Sequence, residues 1–276
     1  MIFSRWETVL FYFTAFGELK MSKINSFIVA SKLYPYALKI RSLISYFLIN
    51  LFGRLRQNKR GTVYCISPYK SGTTFFSQIF ICKSRHEPFM HLTINKIDNS
   101  KFIKRRHDFL DLDLECSGFF AHNLKSLRSA CPNARVIYLV RHPETWIRSV
   151  LNYFYNLNEK VSYNYVARLV FDPICKYPVD EFYQLSVREQ SFIVTRLLEY
   201  WINVYKEAYQ DSKCMVMDLK NVEKNRIKVE RFTGLKMGSQ EGVWKRENSS
   251  KREFLLKEYI DVSKYREQVL SLGYQI

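Results

Sequence analysis

Between residues 29 and 47 the apolar positions Val29, Leu33, Tyr36, Ile40, Leu43, Ile44 and Phe47 recur at helical intervals, with Lys32, Lys39 and Arg41 between them. That spacing predicts a basic amphipathic helix. From residue 61 the pattern changes to short apolar runs alternating with helical segments. TVYCIS (62–67), GFFA (118–121), RVIYLV (135–140) and CMVMDL (214–219) read as strands. TTFFSQIFIC (73–82), LKSLRSA (124–130) and PETWIRSVLNYFY (143–155) read as helices, the last with proline in its first turn. A long helix is predicted from Val187 to Gln210, because Ser186 with Glu189 three residues later forms a capping box. A second Ser-x-x-Glu, Ser250 and Glu253, predicts a C-terminal helix from about Lys251.

Strands that are continuously apolar and alternate with helices predict a parallel sheet covered on both faces, a three-layer α/β/α fold. No repeat or low-complexity linker interrupts residues 61–276, which read as one domain preceded by a helical extension, residues 1–60. The chain has 276 residues and is 47% hydrophobic, enough for a sizeable core. Its 43 Lys and Arg against 26 Asp and Glu give a formal charge of +17. Residues 1–60 hold ten bases and two acids, and so supply +8 of that charge. The extension is expected to pack on the main domain with a solvated basic face, the alternative being contact with an anionic membrane surface.

Six dispersed cysteines (Cys65, Cys82, Cys116, Cys131, Cys175 and Cys214) include no C-x-x-C pair, which points to neither a metal nor a disulfide framework. Several sit in apolar runs, where a thiol is a small buried hydrophobe, and a reducing, cytoplasmic location is expected. No run reaches the ~18 uncharged residues of a spanning helix. The apolar first residues are interrupted by Arg5, Glu7 and Glu18, and Met21 is an alternative start. The sequon at Asn248 is a match expected by chance.

TVYCISPYKSGTTFF is a strand, a tight turn and a helix start. Backbone N–H groups at Ser71, Gly72 and Thr73 are expected to point at an anion. Lys70 supplies a full charge, and the hydroxyls of Ser71, Thr73 and Thr74 supply donors. The lysine precedes the glycine and the first glycine of a Walker A loop is missing, so this is a different phosphate or sulfate cradle. A second strand, RVIYLV, ends in Arg141, and Ser149 lies eight residues on within the following helix. Arginine there can fork onto a phosphate to which the serine adds a hydroxyl, or it can pair with a carboxylate.

Lys70-Ser71-Gly72-Thr73-Thr74 resembles the 5′-phosphosulfate loop of the sulfotransferases that use 3′-phosphoadenosine 5′-phosphosulfate (PAPS), with Pro68 one place earlier than in the family. Arg141, Pro143 and Ser149 resemble that family's 3′-phosphate site. ACPNAR, MVMDLKNV, GVWKREN and LSLGYQI are similar to its looser motifs, so the resemblance spans about residues 61–276. It implies the sulfotransferase fold and PAPS as co-substrate; because a sulfuryl group carries less charge than a phosphoryl group, Lys70 and backbone donors are expected to suffice without a metal. The 5′-end is expected on Lys70, Ser71, Gly72, Thr73 and Thr74, and the 3′-phosphate on Arg141 and Ser149. Lys245 and Arg246 are further candidates for the 3′-phosphate or the acceptor.

Two residues compete as catalytic base beside Lys70. Glu87 lies in HEPFMHL, which resembles a segment of carbohydrate sulfotransferases. His122 follows GFFA, where small-molecule sulfotransferases place a histidine, although Phe120 and Ala121 replace their Lys and Thr. Glu87 is preferred, with His122 retained; His91 reads as a packing residue. The acceptor implied is the hydroxyl or amine of a saccharide or glycolipid, with no nucleic acid as partner. The rival readings are a P-loop nucleotide kinase, which predicts a lysine after the glycine, and a non-catalytic basic protein that binds nucleic acid or membrane.

Overall fold

Five short strands pair into one sheet, and its two faces organise the remainder. The computed structural model describes residues 34–58, 61–158, 166–238 and 252–276. The elements in chain order are α1 (Tyr34–Leu55), β1 (Val63–Ile66), α2 (Thr73–Gln78), β2 (Ser84–His86), α3 (Met90–Asn95) and α4 (Ser100–Leu110). There follow β3 (Leu114–Ser117), α5 (Leu124–Ala130), β4 (Arg135–Val140), α6 (Pro143–Asn158) and, after a π-helical turn over Ala167–Phe171, α7 (Asp172–Cys175). The chain continues through α8 (Val187–Gln210), β5 (Cys214–Asp218), α9 (Arg226–Thr233) and α10 (Arg266–Leu270).

The strands lie in the order β2-β3-β1-β4-β5, and every pair is parallel. Val63 of β1 stands beside Leu114 on one side and Arg135 on the other. Alternate residues feed two cores. Tyr64, Ile66, Tyr138 and Val140 face the larger one, with Phe102 of α4, Leu127 of α5, Trp146 of α6 and Leu197 of α8. Val63, Cys65, Ile137 and Leu139 face the smaller, with Phe76 of α2 and Val229 of α9. The fold is thus the expected three-layer α/β/α arrangement. The chain steps outward from β1 to β2, returns to β3 and then crosses to β4. The strand order therefore reverses between β1 and β4, where such sheets bind ligands.

α1 lays Ile49 into the larger core and stacks Tyr46 on Phe102 of α4, ring centroids 5.8 Å apart. Gly53 permits this approach, since a Cβ there would lie 2.2 Å from the Arg105 carbonyl oxygen. α8 has the bounds and capping box that its sequence predicts: Ser186 Oγ accepts from the Glu189 N–H and Glu189 Oε2 from the Ser186 N–H.

Three expectations are corrected. GFFA is a turn, closed by the Ala121 N–H on the Gly118 carbonyl at 3.1 Å, and the strand is the preceding Leu114–Ser117. The helix begun at Thr73 stops at Gln78. Beyond it, Phe80 forms an antiparallel bridge with Met237, and the Ile81 N–H donates to the Lys236 carbonyl at 2.9 Å, so extended pairing competes successfully with helix. In place of a C-terminal helix from Lys251 stand short 3₁₀ turns and the five-residue α10. Ser250 and Lys251 lie outside the described residues. From Arg252 the chain is held by the Leu256 N–H on Glu144 Oε2 at 3.0 Å and turned by Asp261, which accepts from the Ser263 N–H and hydroxyl.

Candidate active site

The loop after β1 is fixed from both sides. Ser67 Oγ donates to the Leu139 carbonyl at 2.5 Å, tying the end of β1 to β4. Trp146 Nε1 donates to the Tyr69 carbonyl at 2.8 Å, and Arg141 donates to the Lys70 carbonyl at 2.8 Å. Lys70 and Gly72 are both left-handed, with φ of 73° and 103°. At Gly72 that φ disfavours a side chain, and a Cβ would also have to displace a Leu219 methyl, just past β5, from 2.4 Å.

Ser71 departs from its expected role. Its N–H, expected to face an anion, donates to the Pro68 carbonyl at 3.2 Å, and its side chain is fully buried, so its amide closes the loop from inside. With α2 only six residues long, the fixed positive charge at the loop rests mainly on Lys70 and Arg141. Thr73 and Thr74 at the head of α2 both engage Nε2 of His86, at 3.2 and 3.1 Å.

Arg141 follows β4 directly, and its own carbonyl accepts from Trp201 Nε1 at 3.0 Å. Beside it, His142 Nε2 meets the Gln275 carbonyl at 2.7 Å, and the Tyr274 hydroxyl donates to Asp218 at 3.1 Å. The C-terminal Leu-Gly-Tyr and the end of β5 thus pack against this end of the site. Ser149 lies on the half of α6 that carries Tyr153 four residues later. The Lys70 ammonium sits 3.6 Å from the centroid of the Tyr153 ring, a cation–π contact that brings this face of α6 to the loop.

Glu87 closes the third side. Its N–H donates to the Cys116 carbonyl at 2.9 Å, and its own φ of 48° turns the chain out of β2. Burial pushes its carboxyl up to about 7, against the Gly118 N–H and the Lys70 ammonium, which pull the other way. Burial also lowers Lys70, to about 8; the Arg141 charge acts in the same direction and Glu87 opposes it. His86, lowered to about 4 by burial and by Lys70, is neutral at physiological pH. Its 3.9 Å approach to Glu87 is therefore no ion pair. The cluster holds a carboxyl and an ammonium that both titrate close to neutrality, the condition for moving a proton and stabilising an anion in one place.

The structure gathers Lys70, Gly72, Thr73, Thr74, Glu87 and Arg141 at the strand-order reversal. His122 has other neighbours: its Nδ1 lies 3.3 Å from the Tyr200 hydroxyl, and desolvation holds its pKa down against the Asp98 charge. His91 is likewise held down by desolvation and by Arg41 of α1. Lys245, Arg246 and Asn248 lie outside the described residues.

His86 and Tyr153 escape the sequence reading, since a histidine on a three-residue strand and a tyrosine within an apolar helix face carry no spacing signal. Arg106 escapes it too. Buried on α4, it donates to both carboxylate oxygens of Glu115 on β3, at 2.9 and 2.8 Å, and to the Pro88 carbonyl at 2.6 Å. It thereby anchors the backbone next to Glu87. Both residues lie in a densely charged stretch, Lys104 to Glu115, and nothing in that stretch singles them out as the buried pair.

Compared with family models, residues 108–228 match one described as a sulfotransferase domain. The matched region contains Arg141, Ser149, His122 and the β5 end, and begins after the Lys70 loop and Glu87. No curated protein matches the chain.

Proposed function

We propose that this chain, which carries a sulfotransferase domain, moves a sulfuryl group from PAPS to a hydroxyl of an acceptor saccharide or glycolipid. The observation that carries this reading is the 2.8 Å hydrogen bond from Arg141 to the Lys70 carbonyl. It brings the two candidate anion-binding ends side by side at the carboxyl ends of the neighbouring central strands β1 and β4, which suits a single nucleotide charged at both its 5′ and 3′ positions. The donor set suits such a ligand: a guanidinium, an ammonium, two threonine hydroxyls and a glycine that keeps the loop backbone uncovered.

In this mechanism Glu87, ionised, accepts the proton of the acceptor hydroxyl as its oxygen bonds to sulfur. Lys70 stabilises the charge that collects on the phosphate oxygen as the old sulfur–oxygen bond breaks. Arg141, with Ser149 on the following helix, holds the 3′-phosphate and orients the donor. By analogy with phosphoryl transfer, positioning and electrostatic stabilisation supply most of the rate enhancement.

The test is ligand-dependent thermal stabilisation followed by transfer of labelled sulfate. Adenosine 3′,5′-bisphosphate is expected to raise the melting temperature well beyond ADP, and labelled PAPS to modify members of a sugar panel. Arg141→Ala and Lys70→Ala should each weaken the bisphosphate ~10- to 100-fold, the worth of a hydrogen bond to a charged group. Equal stabilisation by ADP and the bisphosphate, unaffected by Arg141→Ala, would refute the donor assignment.

A further inference from the structure

The face of α1 opposite Ile49 is apolar and exposed. Tyr36, Ile40, Leu43, Phe47, Leu51 and Leu55 follow one another at three- or four-residue steps along the whole helix, each between 45% and 73% exposed. Six large apolar side chains on one line of a surface helix form a continuous patch, unlike the scattered apolar residues usual on protein surfaces. The helix contains no acidic residue, and its bases are Lys39, Arg41 and Arg54, all exposed. On the helical wheel Lys39 and Arg41 fall on opposite margins of the stripe, and Arg54 falls within it. Arg56 follows one residue after the helix.

We propose that this face of α1 docks onto the surface of an anionic phospholipid bilayer. The apolar line enters the headgroup boundary, while the flanking bases reach lipid phosphates on either side. No helix among the described residues is long and apolar enough to cross a membrane, so α1 lies along the interface. The charge pattern argues for lipid over a second copy of the chain. A two-fold contact through this stripe would set bases against bases with no carboxylate on the helix to neutralise them. A nucleic acid would satisfy the bases and leave the apolar line wet.

Docking here places the candidate site close to the bilayer. α1 packs on α3, the helix that begins three residues after Glu87, and Arg41 is near enough to His91 on α3 to lower its pKa. An acceptor held at the membrane surface would thus be presented on the Glu87 side of the site. The docking itself does not depend on the reaction proposed above.

Co-flotation of the full chain with lipid vesicles tests the proposal. Binding is expected to phosphatidylcholine vesicles containing phosphatidylserine, and to weaken sharply on pure phosphatidylcholine or at high salt. The double substitution Ile40→Asp, Phe47→Asp should reduce binding at least ~10-fold. Ile227→Asp, an equally exposed apolar position on α9, should leave it unchanged. The proposal is overturned if the wild-type chain stays with the unbound fraction, if the double variant floats as well as wild type, or if wild type is a dimer that the double substitution dissociates.

Discussion

Glu87→Gln is expected to retain adenosine 3′,5′-bisphosphate binding and to lose ~10²- to 10⁴-fold in kcat, the range for removal of a general base. The wild-type pH profile should identify the same group. With Glu87 raised to about 7 and Lys70 lowered to about 8, kcat/KM of the free enzyme should rise through the first value and fall through the second, giving a narrow bell. The variant's residual activity should keep only the alkaline limb. Its stability should move the opposite way. A carboxyl whose pKa is higher in the folded than in the unfolded state favours folding while protonated. Its ionisation costs stability, and that cost accumulates as pH rises from the unfolded value of 4.5 to about 7. At pH 8 the uncharged glutamine escapes a penalty on the order of 3 kcal/mol. The variant should therefore melt above wild type at pH 8 and close to it at pH 4. Full turnover in Glu87→Gln would move the base elsewhere, with His122 next to be replaced.

Replacing Arg106 by alanine should cost ~3–5 kcal/mol in urea unfolding, the usual consequence of stranding one member of a buried ion pair. Glu115 would then be left in the core with Ser117 as its remaining polar contact, at 2.7 Å. The pair Arg106→Met, Glu115→Leu removes both charges and should restore much of the loss. That double variant separates folding from positioning. Arg106 also holds the Pro88 carbonyl, so a restored fold should still show reduced kcat if the arginine fixes the Glu87 backbone. Recovery of both stability and kcat would limit Arg106 to a structural role.

The sheet is legible where a strand keeps an unbroken apolar run and illegible where a charge stands inside it. RVIYLV and CMVMDL announce β4 and β5. LECS does not announce β3, because Glu115 interrupts the apolar run and is tolerated in the core only by virtue of Arg106, a residue on another element. The apolar run is instead Gly118–Ala121, which is buried but whose backbone turns. β2 was lost for a related reason: Ser84, Arg85 and His86 have strand geometry because they pair with β3, and no local preference foretells it. For the candidate site, Lys70, Gly72 and Arg141 are readable because each stands at a strand end or turn in a recognisable order, and Glu87 through the resemblance of its HEPFMHL segment. His86 and Tyr153 depend on tertiary placement, and so does the inward turn of Ser71, which follows from the Pro68 carbonyl capturing its amide.

Of the four tryptophans, Trp146 and Trp201 each donate an indole N–H to a backbone carbonyl, Tyr69 beside the first anion loop and Arg141 at the second. Each fluorophore is therefore attached to the peptide chain of one end of the proposed cleft. Any shift of those carbonyls on nucleotide capture alters the local field at an indole, so near-ultraviolet emission offers a label-free optical gauge of occupancy. Trp146→Phe and Trp201→Phe would then report the two ends separately.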